Sequence, residues 1–105
     1  MLRVVLCNCK PEESHALART LVEERLAACV NIVPGITSFY VWQDKLCEDQ
    51  EHTLLIKTTD ERYEALKSRI QELHSYEVPE IVSLQSVDVL QSYAQWVDEQ
   101  VCAKR

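Results

Sequence analysis

Two stretches of the chain decide its fold: CVNIVPGITSFYVW (residues 29–42) and LCEDQEHTLLIK (residues 46–57). Both combine β-branched, aromatic and alternating residues, which favour strands. The segment Gln43-Asp44-Lys45 separates them, so the pattern predicts a long hairpin with a turn at this point. Pro34-Gly35 interrupts the first strand and contains the only Gly of the chain, which predicts a bulge or bend there.

The residues before the hairpin predict a strand followed by a helix. Leu2, Val4 and Leu6 alternate with other residues at the period of a strand. Pro11 suits the first turn of a helix, which we expect to run to about Leu26 because its apolar residues recur along one face. The residues of this face are Leu17, Leu21, Val22 and Leu26.

The residues after the hairpin predict a second helix and a fourth strand. The helix is expected over about Asp60 to His74, with an N-cap from the segment Thr58-Thr59-Asp60. Pro79 prevents this helix from continuing, and residues 81–85 have the composition of a strand. The apolar face of the helix contains Tyr63, Leu66, Ile70 and Leu73.

A final helix completes the chain. Asp88 is expected to cap it, and its buried residues are expected to be Leu90, Tyr93, Val97 and Val101. The resulting order is βαββαβ with a C-terminal helix. This order predicts an α+β, ferredoxin-like fold in which two helices cover one face of an antiparallel sheet.

Length and composition indicate one globular domain over residues 1–105. The chain has 47% hydrophobic and 27% charged residues, which is typical of an ordered protein. Its net charge of −6 opposes the neutralisation of phosphates, so a nucleic-acid partner is not expected. The apolar run at the N-terminus is too short for a signal peptide or a membrane span, and no membrane partner is expected. Five cysteines without a CxxC pair favour a reducing cytoplasm.

The hairpin also predicts self-association. Two strands of this length exceed what a two-layer domain can cover, so part of the hairpin is expected to protrude. Phe39, Tyr40 and Trp42 lie in that part and would form an apolar edge that a second copy could cover. The alternative is that these aromatic side chains fold back onto the helices of their own subunit.

The segment HSYEVPEI (residues 74–81) is the densest polar cluster and the main site candidate, because loops between elements often carry function. In the structural alternative, His74 caps the preceding helix, and Glu77 and Glu80 are solvated loop charges. Cys7 and Cys9 lie two apart in a strand and face the same side, where a thiolate could join an imidazole and a carboxylate around a metal ion. Buried cysteines, including Cys29 and Cys102, usually serve as small hydrophobic residues.

No common enzyme motif is present in the sequence, and the protein is not expected to be an enzyme. A Cys/His hydrolase remains an alternative, because such pairs meet in space and not in sequence. Its nucleophile would be Cys7 or Cys29, and its base His15, His52 or His74.

Several segments, in order and over nearly the whole chain, resemble the CutA family of divalent-cation tolerance proteins. They are residues 5–7 (VLC), 26–32 (LAACVNI), 34–35 (PG), 38–42 (SFYVW), 57–58 (KT), 74–81 (HSYEVPEI) and 93–96 (YAQW). The resemblance implies a ferredoxin-like subunit and a homotrimer in which the long hairpins pair between subunits. It also implies a role in divalent-cation tolerance and the binding of copper or similar ions.

The resemblance further implies a cleft between subunits. Its lining would include Cys7 from the first strand and His74, Tyr76, Glu77 and Glu80 from the loop, and Lys57 is expected there as well. The chain has Ser75 where the family usually has Pro, and Leu73 where some members have a further His.

Two functions follow as hypotheses. In the first, a homotrimer binds copper, or alternatively zinc, at these clefts through Cys7, His74 and Glu80. In the second, the trimer is a scaffold or a small-molecule signalling protein, and metal binding is incidental.

Overall fold

The computed structural model describes residues 1–102. The predicted order βαββαβ with a C-terminal helix is confirmed. A short 3-10 turn over Pro11–Glu13 precedes the first helix. The elements are β1 (Leu2–Cys9), α1 (Ser14–Glu23), β2 (Cys29–Trp42), β3 (Lys45–Thr59), α2 (Asp60–Leu73), β4 (Val82–Gln85) and α3 (Gln91–Gln100).

The four strands form one antiparallel sheet in the order β2-β3-β1-β4. β1 and β3 are therefore central, and β2 and β4 are the edges. β1 pairs with β3 along its whole length, from Leu2 opposite Thr59 to Cys9 opposite His52. β2 and β3 continue past the end of β1, so the hairpin extends beyond the rest of the sheet.

The bulge and the turn of the hairpin lie where the sequence predicts them. The register between β2 and β3 shifts between Val33 and Ile36, around Pro34-Gly35. Gly35 has a φ of 75°, a left-handed conformation that costs glycine little. Gln43 and Asp44 both have positive φ, as a two-residue hairpin turn of this twist requires.

The core lies between α1, α2 and one face of the sheet. Val5 and Ile56 contribute to it from β1 and β3, and Leu21, Leu66 and Ile70 contribute from the helices. α3 packs on the other face of the sheet. Leu2, which alternates with the core-facing residues of β1, forms a second small cluster there with Ala28, Val97 and Val101.

Two predictions for the first helix are wrong. α1 ends at Glu23 and not near Leu26, because Arg25 adopts a φ of 63° and the Leu26 N–H bonds back to the Leu21 carbonyl. This left-handed ending closes the helix and still buries Leu26. Val22, predicted to be buried, is exposed.

The predictions for the other helix ends also need correction. Thr59 occupies the N-cap position of α2 but makes no capping bond through its side chain, and Leu73 is only partly buried, with 39% of its surface exposed. Asp88 does not cap α3, because the helix begins only at Gln91. Leu90 therefore precedes the helix and is 75% exposed, whereas Tyr93 is 37% exposed and so only partly buried. Val97 and Val101 are buried as predicted.

Candidate functional site

A cleft of about 680 Å³ lies where the end of β1, the protruding hairpin and the α2–β4 loop meet. Strand alternation explains which side chains face it. Ser38, Tyr40 and Trp42 share one face of β2, and Asn8 alternates with the core-facing Cys7 and Cys9. The lining consists of Asn8, Ser38, Phe39, Tyr40, Trp42, Glu51, Tyr76, Glu77, Val78 and Glu80.

Glu51 is the deepest acidic residue of the cleft, with only 5% of its surface exposed. Its Oε2 accepts a hydrogen bond of 2.7 Å from the Tyr76 hydroxyl. Burial and this bond to Glu51 raise the pKa of Tyr76 above its ordinary value, so the phenol keeps its proton. A strand residue and a loop residue that lie 25 positions apart are thereby joined.

His74 fixes the loop to β1. Its Nε2 lies 2.8 Å from the Asn8 carbonyl oxygen, which can only accept, so Nε2 carries the ring proton. Its Nδ1 accepts the Tyr76 backbone N–H at 3.1 Å. Both ring nitrogens are therefore engaged by backbone groups. His74 also occupies the C-cap position of α2, as the structural alternative expects, and its backbone N–H donates there to the Ile70 carbonyl.

Glu80 faces the mouth of the cleft. Its Oε1 lies 3.5 Å from the Asn8 side-chain nitrogen. Partial desolvation and the negative charge of Glu51 raise the pKa of the Glu80 carboxyl. Since Glu51 affects Glu80 in this way, the two carboxylates are close enough to repel each other, and a cation between them would relieve that repulsion.

Cys7 points away from the cleft, into the core beneath α1 and α2. Burial, with smaller contributions from Cys9, Glu80 and Glu51, raises the pKa of its thiol to about 12. The pKa of Cys9 rises to about 11, chiefly through burial. Both groups are therefore thiols at neutral pH, whereas a nucleophile or a metal ligand requires the thiolate.

A second tyrosine–carboxylate pair lies farther along the hairpin. The Tyr40 hydroxyl donates to Asp49, and this bond raises the pKa of Tyr40 to about 12. Glu77 lines the cleft and is exposed. Lys57 does not line it, since its amine contacts Asn31 toward the opposite end of the sheet.

The three predicted metal ligands do not converge within the described part of the chain. Glu80 faces the cleft, His74 is committed to two backbone groups, and Cys7 lies on the core side of the sheet. Within residues 1–102, no group of three or more His, Cys, Asp or Glu side chains is arranged to hold a metal ion. The sequence prediction missed Glu51 and Asn8, two of the residues that the loop contacts.

Two of the candidate bases of the hydrolase alternative, His52 and His15, lie outside the cleft. His52 Nδ1 is 2.7 Å from the Ser14 hydroxyl oxygen, and Ser14 is fully buried at the start of α1. A substrate has no access to that hydroxyl, so this Ser–His pair connects α1 to β3. His15 is exposed on α1.

No helix within the described part of the chain is long and apolar enough to cross a membrane.

Comparison with known proteins gives one consistent family. Residues 3–100 match the family model described as CutA1 divalent ion tolerance protein. The divalent-cation tolerance protein CutA of Thermus thermophilus is 51% identical over 94% of this chain and 97% of its own length. The chloroplastic protein CutA of Arabidopsis thaliana is 42% identical over 82% of this chain, which spans 47% of that longer protein.

Solved structures agree with this result. The Thermus thermophilus divalent cation tolerance protein superposes with a TM-score of 0.91 at 50% identity, covering 95% of this chain and 98% of the other. A Nostoc protein described as a PII-like protein CutA in apo form gives 0.90 at 39% identity, covering 94% and 96%. The ferredoxin-like α+β fold is common to all of them. The chain belongs to the CutA1 divalent ion tolerance protein family.

Proposed function

We propose that the protein acts in divalent-cation tolerance as a homotrimer that binds a divalent cation, copper or alternatively zinc, at clefts between subunits. The observation that carries the proposal is the exposed apolar surface at the hairpin tip, residues 39–46. Phe39, Val41 and Leu46 are 65%, 67% and 76% exposed there, at the end of the strand pair that extends past β1. Exposed apolar strands of this kind pair with other chains unless a specific partner covers them.

The edges of the sheet favour assembly with copies of the same chain. β2 is an edge strand of 14 residues, and β4 is a second, short edge on the opposite side. Each edge leaves backbone donors and acceptors that a neighbouring strand can satisfy. A closed ring of subunits would satisfy both edges of every copy. Tyr40 and Trp42 belong to the same tip and line the cleft, so a neighbouring subunit would also border the cleft.

Cys7, His74 and Glu80 are the proposed metal ligands. Of these, Glu80 is open to the cleft, whereas His74 would have to release the Asn8 carbonyl or the Tyr76 N–H, and Cys7 would have to turn and lose its proton. We therefore expect Glu80 to contribute most. For a given set of oxygen and nitrogen donors Cu(II) binds more tightly than Zn(II), which supports copper as the preferred ion.

Calorimetric titration of the full chain with Cu(II) and Zn(II) tests the metal site. We expect binding by the native protein, a clear loss of affinity in Glu80→Gln, and smaller losses in His74→Ala and Cys7→Ser. Glu64→Gln, which removes an exposed carboxylate on α2, is the matched control. If Glu80→Gln and Glu64→Gln bind metal equally well, the cleft is not the metal site.

A small-molecule signalling role is the second candidate function, with metal binding incidental. The cleft supports it, because a volume of about 680 Å³ with aromatic walls is typical of sites for organic ligands and exceeds what one ion needs. The Nostoc relative is described as PII-like, which fits the same role. If the trimer is instead a scaffold, the Glu80→Gln variant should still retain protein partners in a pull-down from the native host.

The proposal also includes a cytoplasmic location and a role without catalysis. All five cysteines are free thiols, as in a reducing compartment. Thiol labelling across pH tests the absence of an activated nucleophile, and we expect Cys7 to react only after unfolding. Rapid labelling of Cys7 in the native protein at neutral pH would favour the hydrolase.

A further inference from the structure

We propose that the cleft binds a protonated organic amine, with its ammonium group at Glu51 and Glu80 and its carbon skeleton against Tyr40 and Trp42. The inference rests on the small-molecule role proposed above and names the class of ligand. It does not depend on metal binding.

The charge of the lining selects a cation. Three of the ten lining residues are glutamates, and none is Lys, Arg or His. The chain as a whole carries 11 Lys and Arg side chains, so their absence from this surface is not a matter of composition. A ligand with phosphate or carboxylate groups would be repelled by the three glutamates and would find no cationic side chain to offset that repulsion.

The hydrogen-bond inventory selects a cation that carries N–H groups. A phenol has one proton to donate, and both tyrosines of the cleft use it on a carboxylate, Tyr76 on Glu51 and Tyr40 on Asp49. The remaining oxygen atoms of these pairs are acceptors. A primary ammonium supplies three donors to such a surface, whereas a quaternary ammonium supplies none.

Glu51 supplies the fixed acceptor at the base of the cleft. One of its oxygens is bound by Tyr76, and within residues 1–102 no side-chain donor contacts the other, Oε1. In the same part of the chain, every fully buried side-chain oxygen or nitrogen has a partner, so Oε1 must remain open to the cleft that Glu51 lines. Because Glu51 is only 5% exposed, most of the free-energy cost of removing water from its carboxylate is already part of the folded state, and a cation that binds its free oxygen adds little to that cost.

The walls of the cleft suit an organic body more than a bare ion. Tyr40 and Trp42 lie on one face of β2 and line the cleft together with Phe39. Aromatic faces attract ammonium groups and cover hydrocarbon, but they donate nothing to the coordination of a metal. The volume of about 680 Å³ lies within the range of sites for small organic ligands.

The test uses 2-phenylethylamine, which is protonated at pH 7, and two matched probes titrated calorimetrically into the full chain. 2-Phenylethanol has the same body without charge, and N,N,N-trimethyl-2-phenylethylammonium has the charge without N–H donors. We expect saturable binding of the amine, and binding weaker by about tenfold or more for either matched probe.

Variants assign the site. Glu51→Gln keeps an acceptor for the Tyr76 hydroxyl but removes the charge, so we expect amine affinity to fall about tenfold or more. Trp42→Leu changes a wall residue that is 41% exposed and is expected to weaken amine binding, and sedimentation of this variant separates loss of the wall from loss of assembly. Glu64→Gln on α2 is expected to bind as the native chain does.

Three results would overturn the proposal: no saturable binding of the amine at millimolar concentration, equal binding of 2-phenylethanol, or equal affinity in Glu51→Gln and Glu64→Gln. Titration of Cu(II) into the same samples separates the two proposals. Metal binding that persists without amine binding refutes only the amine site, and the reverse refutes only the metal site.

Discussion

The two ends of the β2–β3 hairpin carry similar apolar residues in opposite surroundings. At the core end, Leu54 and Ile56 are fully buried beneath the helices. At the tip, Val41 and Leu46 face each other across the strands and are largely exposed. β3 has 15 residues, about 45 Å of strand, whereas the 14 residues of α2 span about 21 Å. The helices are too short to cover the hairpin, so strand pairing alone leaves its outer half unprotected.

The largest difference between the two ends is expected in stability. Leu54→Ala removes a fully buried side chain from the core and should lower the free energy of unfolding by about 2–5 kcal/mol. The same change at the tip, Leu46→Ala, should cost less than about 1 kcal/mol within a subunit. Urea denaturation at one fixed protein concentration, low enough that sedimentation shows single subunits, measures both losses without a contribution from assembly. Equal losses would mean that the tip is buried as completely as the core end.

For self-association we expect the reverse, with the larger effect at the tip of the hairpin. Val41→Ser removes apolar surface at the tip, so we expect the dissociation constant of the oligomer to rise about tenfold. Far-UV circular dichroism should remain native, because the subunit core is untouched. Val87→Ser, at an exposed position outside the hairpin, is the control. Sedimentation of the native protein as a 12.2 kDa species at micromolar concentration would contradict self-association altogether.

Local patterns were sufficient for the architecture. The alternation in residues 29–42 and 46–57, the interruption at Pro34-Gly35 and the apolar periodicity of α2 correctly placed the long hairpin, its bulge and the order of elements. These features depend on neighbours in the chain. The predictions failed at helix ends: Arg25 ends α1 early, and α3 begins only after Leu90. An aspartate such as Asp88 can cap a helix only where the first helical turn starts beside it.

The site was harder to predict because its contacts join distant parts of the chain. Glu51 lies in a polar run of β3 that resembles a solvated edge, and its burial depends on Tyr76. The loop was recognised as a polar cluster, but no local signal indicates that His74 would bond to the Asn8 carbonyl. The alternation of β1 placed Cys7 and Cys9 on one face without revealing that the helices cover that face.

Hydrogen bonds at the core end and at the tip of the hairpin should also differ, with a smaller effect on stability. The Thr58 hydroxyl donates to the Leu26 carbonyl at 2.7 Å, and Thr58 is fully buried. Thr58→Val leaves that carbonyl without its donor and should cost about 1 kcal/mol of stability. At the tip, Thr37 accepts from Gln50 in an exposed contact, and Thr37→Val should cause no measurable loss in the same urea titration. An equal loss of stability in both variants would mean that the Gln50–Thr37 hydrogen bond is not exposed to solvent.

The smallest effect is expected at the boundary between the two ends, where Glu80 lies near Glu51. Because the pKa of Glu80 is raised in the folded state, its contribution to stability is present below the ordinary pKa of a glutamate and is lost as pH rises through the raised value. Glu80→Gln cannot ionise, so its stability relative to the native chain should increase by a few tenths of a kcal/mol over that interval. Urea titrations from pH 4 to pH 7, with Glu77→Gln as control, measure the difference. A difference that stays constant with pH would mean that neither partial desolvation nor the charge of Glu51 raises the pKa of Glu80 in the folded state.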